Sequence, residues 1–488
     1  MNAPGFVNAA VSDGVFIDNA WRPSASGRTL DVVAPGDGQV FARIAAGNAA
    51  DVDAAVQAAR RALEGAWGRT TAVERGRLLA AWAAKVGEEA EALAQLESRD
   101  AGKPIGTARN DVAALKRYLE FYAGAVEQLM GEQIPSIDGV LAVAERVPHG
   151  VTGHIIPWNY PVQMFGRSVG AALAAGNAAV LKPAEDACLS LLRLAEMAAE
   201  VGFPAGALNV VPGLGAEAGA ALAAHPGINF VSFTGSPETG AAVQIAAARH
   251  HAACTLELGG KSAQIVFADA DLDAAVPVLL NAIVQNAGQT CSAGARVLAE
   301  KAVVPELTRR LVEGFKALRA GPPEMNLNLG PLINARQKAR VEGFVARAAA
   351  DGIPLLAEGR LAPESPAGGY YVAPRLYGPV PEGHALACEE VFGPVLSLME
   401  FEGEDEAVRI ANATDYGLVA GVWCGNGARA LRVARRLRAG QVFVNAYGAG
   451  GGIELPFGGF GKSGHGREKG FEGLRGFTTL RTLVIRHG

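Results

Sequence analysis

Val151-Thr-Gly-His-Ile-Ile156 is the first of a series of short apolar runs that decides how the middle of this chain folds. The others are Ala178–Leu181, Leu208–Val211, Phe230–Phe233 and Thr255–Leu258. Helical stretches separate them, most clearly Cys188–Val201 and Glu238–Ala248. Apolar runs this short, bounded by turn residues, suit buried strands better than helices. Strand alternating with helix predicts βαβ units and a parallel, doubly wound sheet. Such sheets bind ligands where strands end and helices begin, because helix N-termini offer free N–H groups to phosphates.

Working outward, a second α/β series begins near Ala263–Phe267 and continues to about residue 460, which predicts a second domain. The first 130 residues read as mostly helical. Thr71-Ala-Val-Glu74 is a capping-box pattern that opens a stretch with Leu78, Leu79, Trp82 and Val86 at helical spacing. A further amphipathic stretch runs from about Asn110 to Met130, with Val112, Leu115, Leu119 and Tyr122 on one face. The final apolar run, Phe477–Ile485, reads as a strand with nothing obvious to pair with in its own domain, and a partner subunit is one destination for it.

The 488 residues call for two or three domains. Half of them are hydrophobic and 19% are charged, which suits a well-buried enzyme and excludes a disordered chain. A net charge of −5 provides no basic field for nucleic acid. Met1 to Gly14 lacks the cationic and apolar regions of a signal peptide. Residues 147–166 are uncharged, but Pro148, Pro157, Pro161, His149, His154 and Asn159 rule out a lipid-facing helix. Cys188, Cys254, Cys291, Cys388 and Cys424 form neither a disulfide framework nor a zinc site, so a reducing cytoplasm is the expected home. The histidines are dispersed and no metal is expected. No internal repeat is visible.

Several phrases could carry chemistry, and each has a plainer reading. Cys291 lies in Gly288-Gln-Thr-Cys-Ser-Ala-Gly294, after the helical stretch that starts at Asp271. Most lone cysteines are small core hydrophobes. Small polar neighbours leave this sulfur approachable and backbone N–H groups free, which favours a thiolate nucleophile. Glu257-Leu-Gly-Gly-Lys261 ends a strand in a turn, where the carboxylate is either a general base or a surface residue. In Pro157-Trp-Asn-Tyr-Pro161, two prolines present Asn159 at a strand end, where its amide could donate to an oxyanion or simply form a turn. Phe233-Thr-Gly-Ser-Pro-Glu-Thr-Gly240 sets Gly235, Ser236 and Gly240 at a helix entrance, where backbone can approach a pyrophosphate. It is not the G-x-G-x-x-G fingerprint. Lys182-Pro-Ala-Glu185 also follows a strand. Gly213-Leu-Gly-Ala-Glu-Ala-Gly219 has the wrong spacing and is assigned to a turn.

Taken in order, these phrases resemble the aldehyde dehydrogenase superfamily over nearly the whole chain. Glu389-Glu-Val-Phe-Gly-Pro394 and Pro456-Phe-Gly-Gly-Phe-Gly-Lys-Ser-Gly464 strengthen the resemblance. It implies an α/β fold with a Rossmann-like cofactor domain (1–128 and 149–258), a catalytic domain (259–462) and a small oligomerisation sheet (129–148 and 470–488). It implies Cys291 as nucleophile, Asn159 as oxyanion donor and Glu257 as the base that activates water. Trp158, Lys182, Glu185, Gly235, Ser236, Gly240, Glu390 and Phe392 match cofactor-binding positions. Lys182 and Glu185 match the pair on the adenosine ribose, and Glu390 the carboxylate on the nicotinamide ribose. A carboxylate at Glu185 would repel a 2′-phosphate, so NAD is expected over NADP, although members with Glu here sometimes use both. Glu257 favours hydrolysis over transfer to coenzyme A.

Tyr160, Met164, Arg167, Gln285 and Phe457 match positions lining the family's aldehyde tunnel. Arg167 stands where members acting on succinic semialdehyde carry a carboxylate-binding arginine, which suggests an acidic semialdehyde. Their second arginine is replaced here by Gln285, so a structural Arg167 is the competing reading. Arg167 and Gln285 also break the aromatic cage that a betaine aldehyde needs. Glu468 matches a proton-relay residue, whereas Ser168 replaces the lysine of that relay. Gly448–Gly452 would make the tunnel-mouth loop bare. The alternatives are a broad-range aliphatic or aromatic aldehyde dehydrogenase, and a non-catalytic structural member of the fold. The resemblance further implies a dimer or tetramer.

Overall fold

The computed structural model describes residues 14–135, 138–448 and 452–488. Most of the N-terminal stretch examined for a signal peptide, and residues 449–451 of the glycine-rich loop, lie outside the described residues.

Two open sheets organise the chain, each with its own hydrophobic cluster. At the centre of the first, Leu208–Val210, Ala178–Pro183, Val151–Ile156, Phe230–Thr234 and Ala253–Glu257 lie side by side and parallel. They coincide with the apolar runs of the sequence because strands covered on both faces need no polar alternation. Helices Leu189–Glu200 and Pro237–Ala248 occupy the intervening stretches. The sheet is mixed rather than wholly parallel: Val15–Ile17, Ala20–Arg22 and Gly464–His465 extend it antiparallel at its edges.

The N-terminal region is less helical than its sequence suggests. The short edge strands and a hairpin of Thr29–Val33 with Val40–Ala45 precede the first helix, Ala49–Glu64. Strands of three residues are too short to display a period of two. The helix Ala72–Glu88 begins as expected. Thr71 accepts from the Glu74 N–H while the Glu74 carboxylate accepts from the Thr71 N–H.

The second sheet runs Leu355–Glu358, Arg375–Tyr377, Val395–Phe401, Arg296–Glu300, Ala263–Val266, Val419–Trp423 and Gln441–Val444. It is parallel apart from its first strand. The C-terminal strand, Thr478–Arg486, does have a partner in its own chain. It pairs antiparallel along its length with Val140–Pro148, which pairs in turn with Glu132–Ile134. No local pattern shows this, because the pairing spans more than three hundred residues; only the family resemblance grouped 129–148 with 470–488. Leu480, Leu483, Val484 and Ile485 are exposed on this small sheet. Among the described residues no helix is long and apolar enough to cross a membrane.

Candidate active site

The parallel strands of the first sheet place their carboxyl ends along one edge, and the candidate residues follow from that. Trp158 and Asn159 come just after Val151–Ile156, Lys182 is the last residue but one of strand Ala178–Pro183, and Gly235 follows Phe230–Thr234. Glu257 ends its own strand in register with Thr234. This is the edge where open α/β sheets bind ligands.

Cys291 arrives from the other sheet's side of the molecule. Helix Leu272–Val284 ends at a tight turn in which Asn286, Ala287 and Gly288 have φ of 49°, 55° and 75°. Left-handed backbone is unfavourable for Ala by about 1–2 kcal/mol, so surrounding bonds must hold the turn. They are present. The Asn286 amide donates to the Asn159 carbonyl at 2.8 Å, and the Asn159 amide donates back to the Gln289 carbonyl at 3.0 Å. Tyr160 Oη and Thr290 Oγ1 are hydrogen-bonded at 2.9 Å, and Gln289 accepts from the Ile333 N–H. The loop that carries Cys291 and the Pro157–Pro161 turn are thus tied to one another. A side-chain amide has two N–H donors, so Asn159 keeps a second for an oxygen next to Cys291.

Glycines bring Glu257 into the same place. A Cβ on Gly259 would lie 2.2 Å from the Glu390 carboxylate, and one on Gly260 would lie 2.4 Å from the Cys291 carbonyl oxygen. The Gly260 N–H donates to Glu390 at 2.9 Å. Only a double glycine lets the turn after Glu257 pack between these groups.

Both Glu257 carboxyl oxygens are buried and have no protein partner. Burial first, and the Glu468 charge second, push the Glu257 acid well above the ordinary glutamate range, against the pull of Arg167 and Arg467. Burial likewise pushes the Cys291 thiol up to about 12, opposed chiefly by Arg167. Burial raises Glu390 to about 7. Burial thus favours the neutral forms of the Cys291 thiol and the Glu257 carboxyl.

Cys291, Glu257 and Asn159 line one cleft of about 500 Å³, a volume that suits a small-molecule site. Thr234, Gly235, Ser236, Pro237 and Glu238 line its far part, where helix Pro237–Ala248 begins and Ser236 caps it. That helix end can receive a pyrophosphate. Glu390 and Phe392 also line the cleft, and Phe392 meets Trp158 edge-on at 5.5 Å. Lys182 and Glu185 lie outside the lining but pair at 2.7 Å. Burial raises Glu185, yet Lys182 and backbone donors outweigh it and keep the carboxyl below its usual range. A carboxylate held ionised in this way suits ribose hydroxyls. The residues present fit a nicotinamide dinucleotide.

Of the tunnel candidates, Phe457 packs in the small cluster with Leu418 and Val419 that Cys291 also touches. Tyr160 reaches the site through Thr290, and Met164 is buried in the core of the first sheet. The Gln285 carbonyl accepts from Thr290. Arg167 is buried, donates from Nε to Glu468, and lies 4.8 Å over the Phe457 ring. Its Nη2 is buried without a protein partner. The segment assigned to a plain turn at Gly213–Gly219 instead opens a helical turn, and its Gly215 N–H approaches Glu185 at 3.5 Å. Sequence reading missed Gln337 and Arg340, which line the cleft and donate to the carbonyls of Phe392 at 2.7 Å and Glu390 at 2.6 Å. Backbone acceptors leave no trace in a sequence, and no motif surrounds either residue.

Two α/β sheets bring a cysteine, a carboxylate and a side-chain amide to one cleft beside a helix N-terminus, an arrangement that suits a dinucleotide-dependent oxidoreductase. The chain belongs to the aldehyde dehydrogenase family, whose family model matches residues 21–483. A presumptive aldehyde dehydrogenase of Burkholderia cenocepacia shares 62% identity, covering 97% of this chain and 100% of that one with a TM-score of 0.97. An indole-3-acetaldehyde dehydrogenase mutant of P. syringae, solved with NAD+, shares 38% identity over 98% and 97% of the two chains, with a TM-score of 0.95. Betaine aldehyde dehydrogenase of Staphylococcus aureus, also in complex with NAD+, shares 34% over 98% and 95%, again at 0.95.

Proposed function

We propose that this protein oxidises an aldehyde to the free carboxylic acid with NAD. The observation that carries the reading is the shared cleft of Cys291, Asn159 and Glu257, with the N-terminus of Pro237–Ala248 at its far end. The Cys291 thiol releases its proton to solvent, its thiolate Sγ adds to the aldehyde carbon, and the free Asn159 N–H with the Cys291 backbone N–H holds the oxyanion. The bound nicotinamide supplies the hydride acceptor. Collapse of the oxyanion leaves an acyl thioester on Cys291. Glu257 takes a proton from water, the hydroxide attacks the acyl carbon, and acid leaves with Cys291 as leaving group. Glu257, in the turn that packs on Cys291, supports hydrolysis rather than transfer to coenzyme A. The test is NADH formation over aliphatic, aromatic, acidic and cationic aldehydes with product analysis. Acyl-CoA formed in preference to acid would refute the hydrolytic reading.

The ionised Glu185 beside Lys182 supports a preference for NAD. Glu185→Ser is expected to raise kcat/KM for NADP relative to NAD by about tenfold or more, since the repulsion of a 2′-phosphate is gone. Wild-type kinetics that favour NADP would overturn the preference.

The finer reading of the substrate is an acidic semialdehyde, favoured by the unpartnered Arg167 Nη2. Arg167→Gln is then expected to raise KM about tenfold for acidic semialdehydes and leave KM for neutral aldehydes unchanged. An equal fall in kcat on both, with KM constant, would mean that Arg167 serves Glu468 alone and that the enzyme is broad-range. The exposed apolar residues of the C-terminal sheet support self-association as a dimer or tetramer. Light scattering that returns one chain per particle would contradict this.

A further inference from the structure

A line of buried polar side chains runs through the first sheet where apolar residues would ordinarily sit. Thr152 and His154 lie on Val151–Ile156, Ser232 lies opposite His154 on Phe230–Thr234, and Ser168 lies on the turn Gly166–Gly170. Glu468 closes the line. None of the five is more than 3% exposed. Ser232 Oγ is 2.9 Å from Glu468 Oε1, and Ser168 Oγ is 3.0 Å from Ser232 Oγ. His154 Nδ1 is 2.6 Å from Ser168 Oγ, and His154 Nε2 is 2.8 Å from Thr152 Oγ1. Arg167 binds the other oxygen of Glu468.

The proton on each of these bonds can be assigned by elimination. A carboxylate paired with Arg167 only accepts, so Ser232 must donate to it. Ser232 has no second proton, so Ser168 donates to Ser232. The proton of Ser168 is then committed, which leaves Nδ1–H of His154 as the donor to Ser168. Burial lowers the His154 imidazole to about 3, so the ring is neutral and Nε2 accepts from Thr152. Every hydrogen bond points toward Glu468. The line ends blind at Thr152, which is fully buried and otherwise reaches only the Ala178 carbonyl. A fully satisfied polar chain of this kind is rigid and fixes its charged end.

We propose that His154 is a positioning residue for water activation: donating from Nδ1 through Ser168 and Ser232, it holds Glu468 as a fixed anion within electrostatic reach of Glu257. This rests on the reading of Glu257 as the base. Around Glu468 and Glu257 stand Arg167 from the turn Gly166–Gly170, Tyr118 and Tyr122 from helix Ile105–Ala125, and Arg467 and Lys469 on the flanks of Glu468. Cys291 lies within reach of Arg167. Among these the Glu468 charge is the one that raises Glu257. Glu468 pairs with Phe457, next to Gly458, where a Cβ would stand 2.9 Å from Glu257 Oε1. Taking a donor from that anion leaves its charge less compensated and must raise the pH at which Glu257 ionises.

The experiment follows hydrolysis of the acyl-enzyme in single turnovers across pH, with thermal midpoints recorded for each variant. His154→Leu leaves Ser168 without a donor, so Ser232 can turn its proton away from Glu468. The acid limb is expected to move up by about half a pH unit or more, because the Glu468 charge is then less compensated. Ser232→Ala should shift it in the same direction, and the double variant should add nothing to Ser232→Ala. His154→Gln, whose amide can donate to Ser168, should restore the wild-type limb. Limbs unchanged in His154→Leu and Ser232→Ala, or a shift that His154→Gln does not reverse, would overturn the proposal whatever happens to the thermal midpoint. If the limb persists in Glu257→Gln, the base itself is misassigned, and that failure is distinct from the first.

Discussion

Cys291→Ala is expected to lower aldehyde oxidation by about 10⁴-fold or more while leaving dinucleotide affinity within about twofold of wild type. The cleft lining contains no second thiol, because Cys188, Cys254, Cys388 and Cys424 all lie outside it. The hydroxyls that do line it are poor substitutes. Ser236 Oγ accepts from the Thr239 N–H as a helix cap, and Thr234 ends a strand. Either would form an ester, which water hydrolyses with a worse leaving group than a thiolate. Cofactor affinity should persist because the helix end, Glu390 and the Lys182–Glu185 pair are untouched. The checks are steady-state NADH formation and a fluorescence titration with NADH. Residual activity above a tenth of wild type would remove Cys291 from the mechanism. Loss of cofactor affinity in parallel would mean that the strained Asn286–Gly288 turn had collapsed instead.

What the sequence showed of this fold and site depended on how local the causes are. Val151–Ile156 and its parallel neighbours were legible because burial on both faces writes itself as a continuous apolar run. The capping box at Thr71 and Glu74 was legible because both partners lie within one turn. The edge strands Val15–Ile17 and Ala20–Arg22 are too short to show a pattern, and the partner of Thr478–Arg486 was legible only through the family resemblance, not from any local pattern. Phrase matching picked out Cys291, Asn159 and Glu257. It could not show how they are held: the reciprocal amide bonds of Asn286 and Asn159 join residues 127 apart in the chain. His154 and Ser232 were invisible for the same reason, as single polar residues inside apolar runs. Arg167 was ambiguous from sequence because its partner, Glu468, lies 301 residues away.

Glu257→Gln is expected to separate the two halves of the reaction. Acylation of Cys291 uses no water, so a burst of NADH close to one per active site should survive. Turnover after the burst should fall by about 10²–10⁴-fold, the range that removing a positioned base gives. The enzyme should stall as its thioester, visible as an added acyl mass on the peptide that contains Cys291. Hydroxylamine, which needs no base to attack a thioester, should restore turnover and release the hydroxamate. The sign of the pH effect follows from the burial of Glu257. Its acid form is favoured well above the ordinary glutamate range, and only its ionised form takes a proton from water. Wild-type hydrolysis should therefore climb with pH along a limb above that range and reach its plateau once Glu257 is ionised. Glutamine has no such titration, so the limb should vanish from the residual turnover of the variant. Absence of a burst would place Glu257 before acylation, as the base that takes the Cys291 proton. A burst with undiminished turnover would show that another group activates the water.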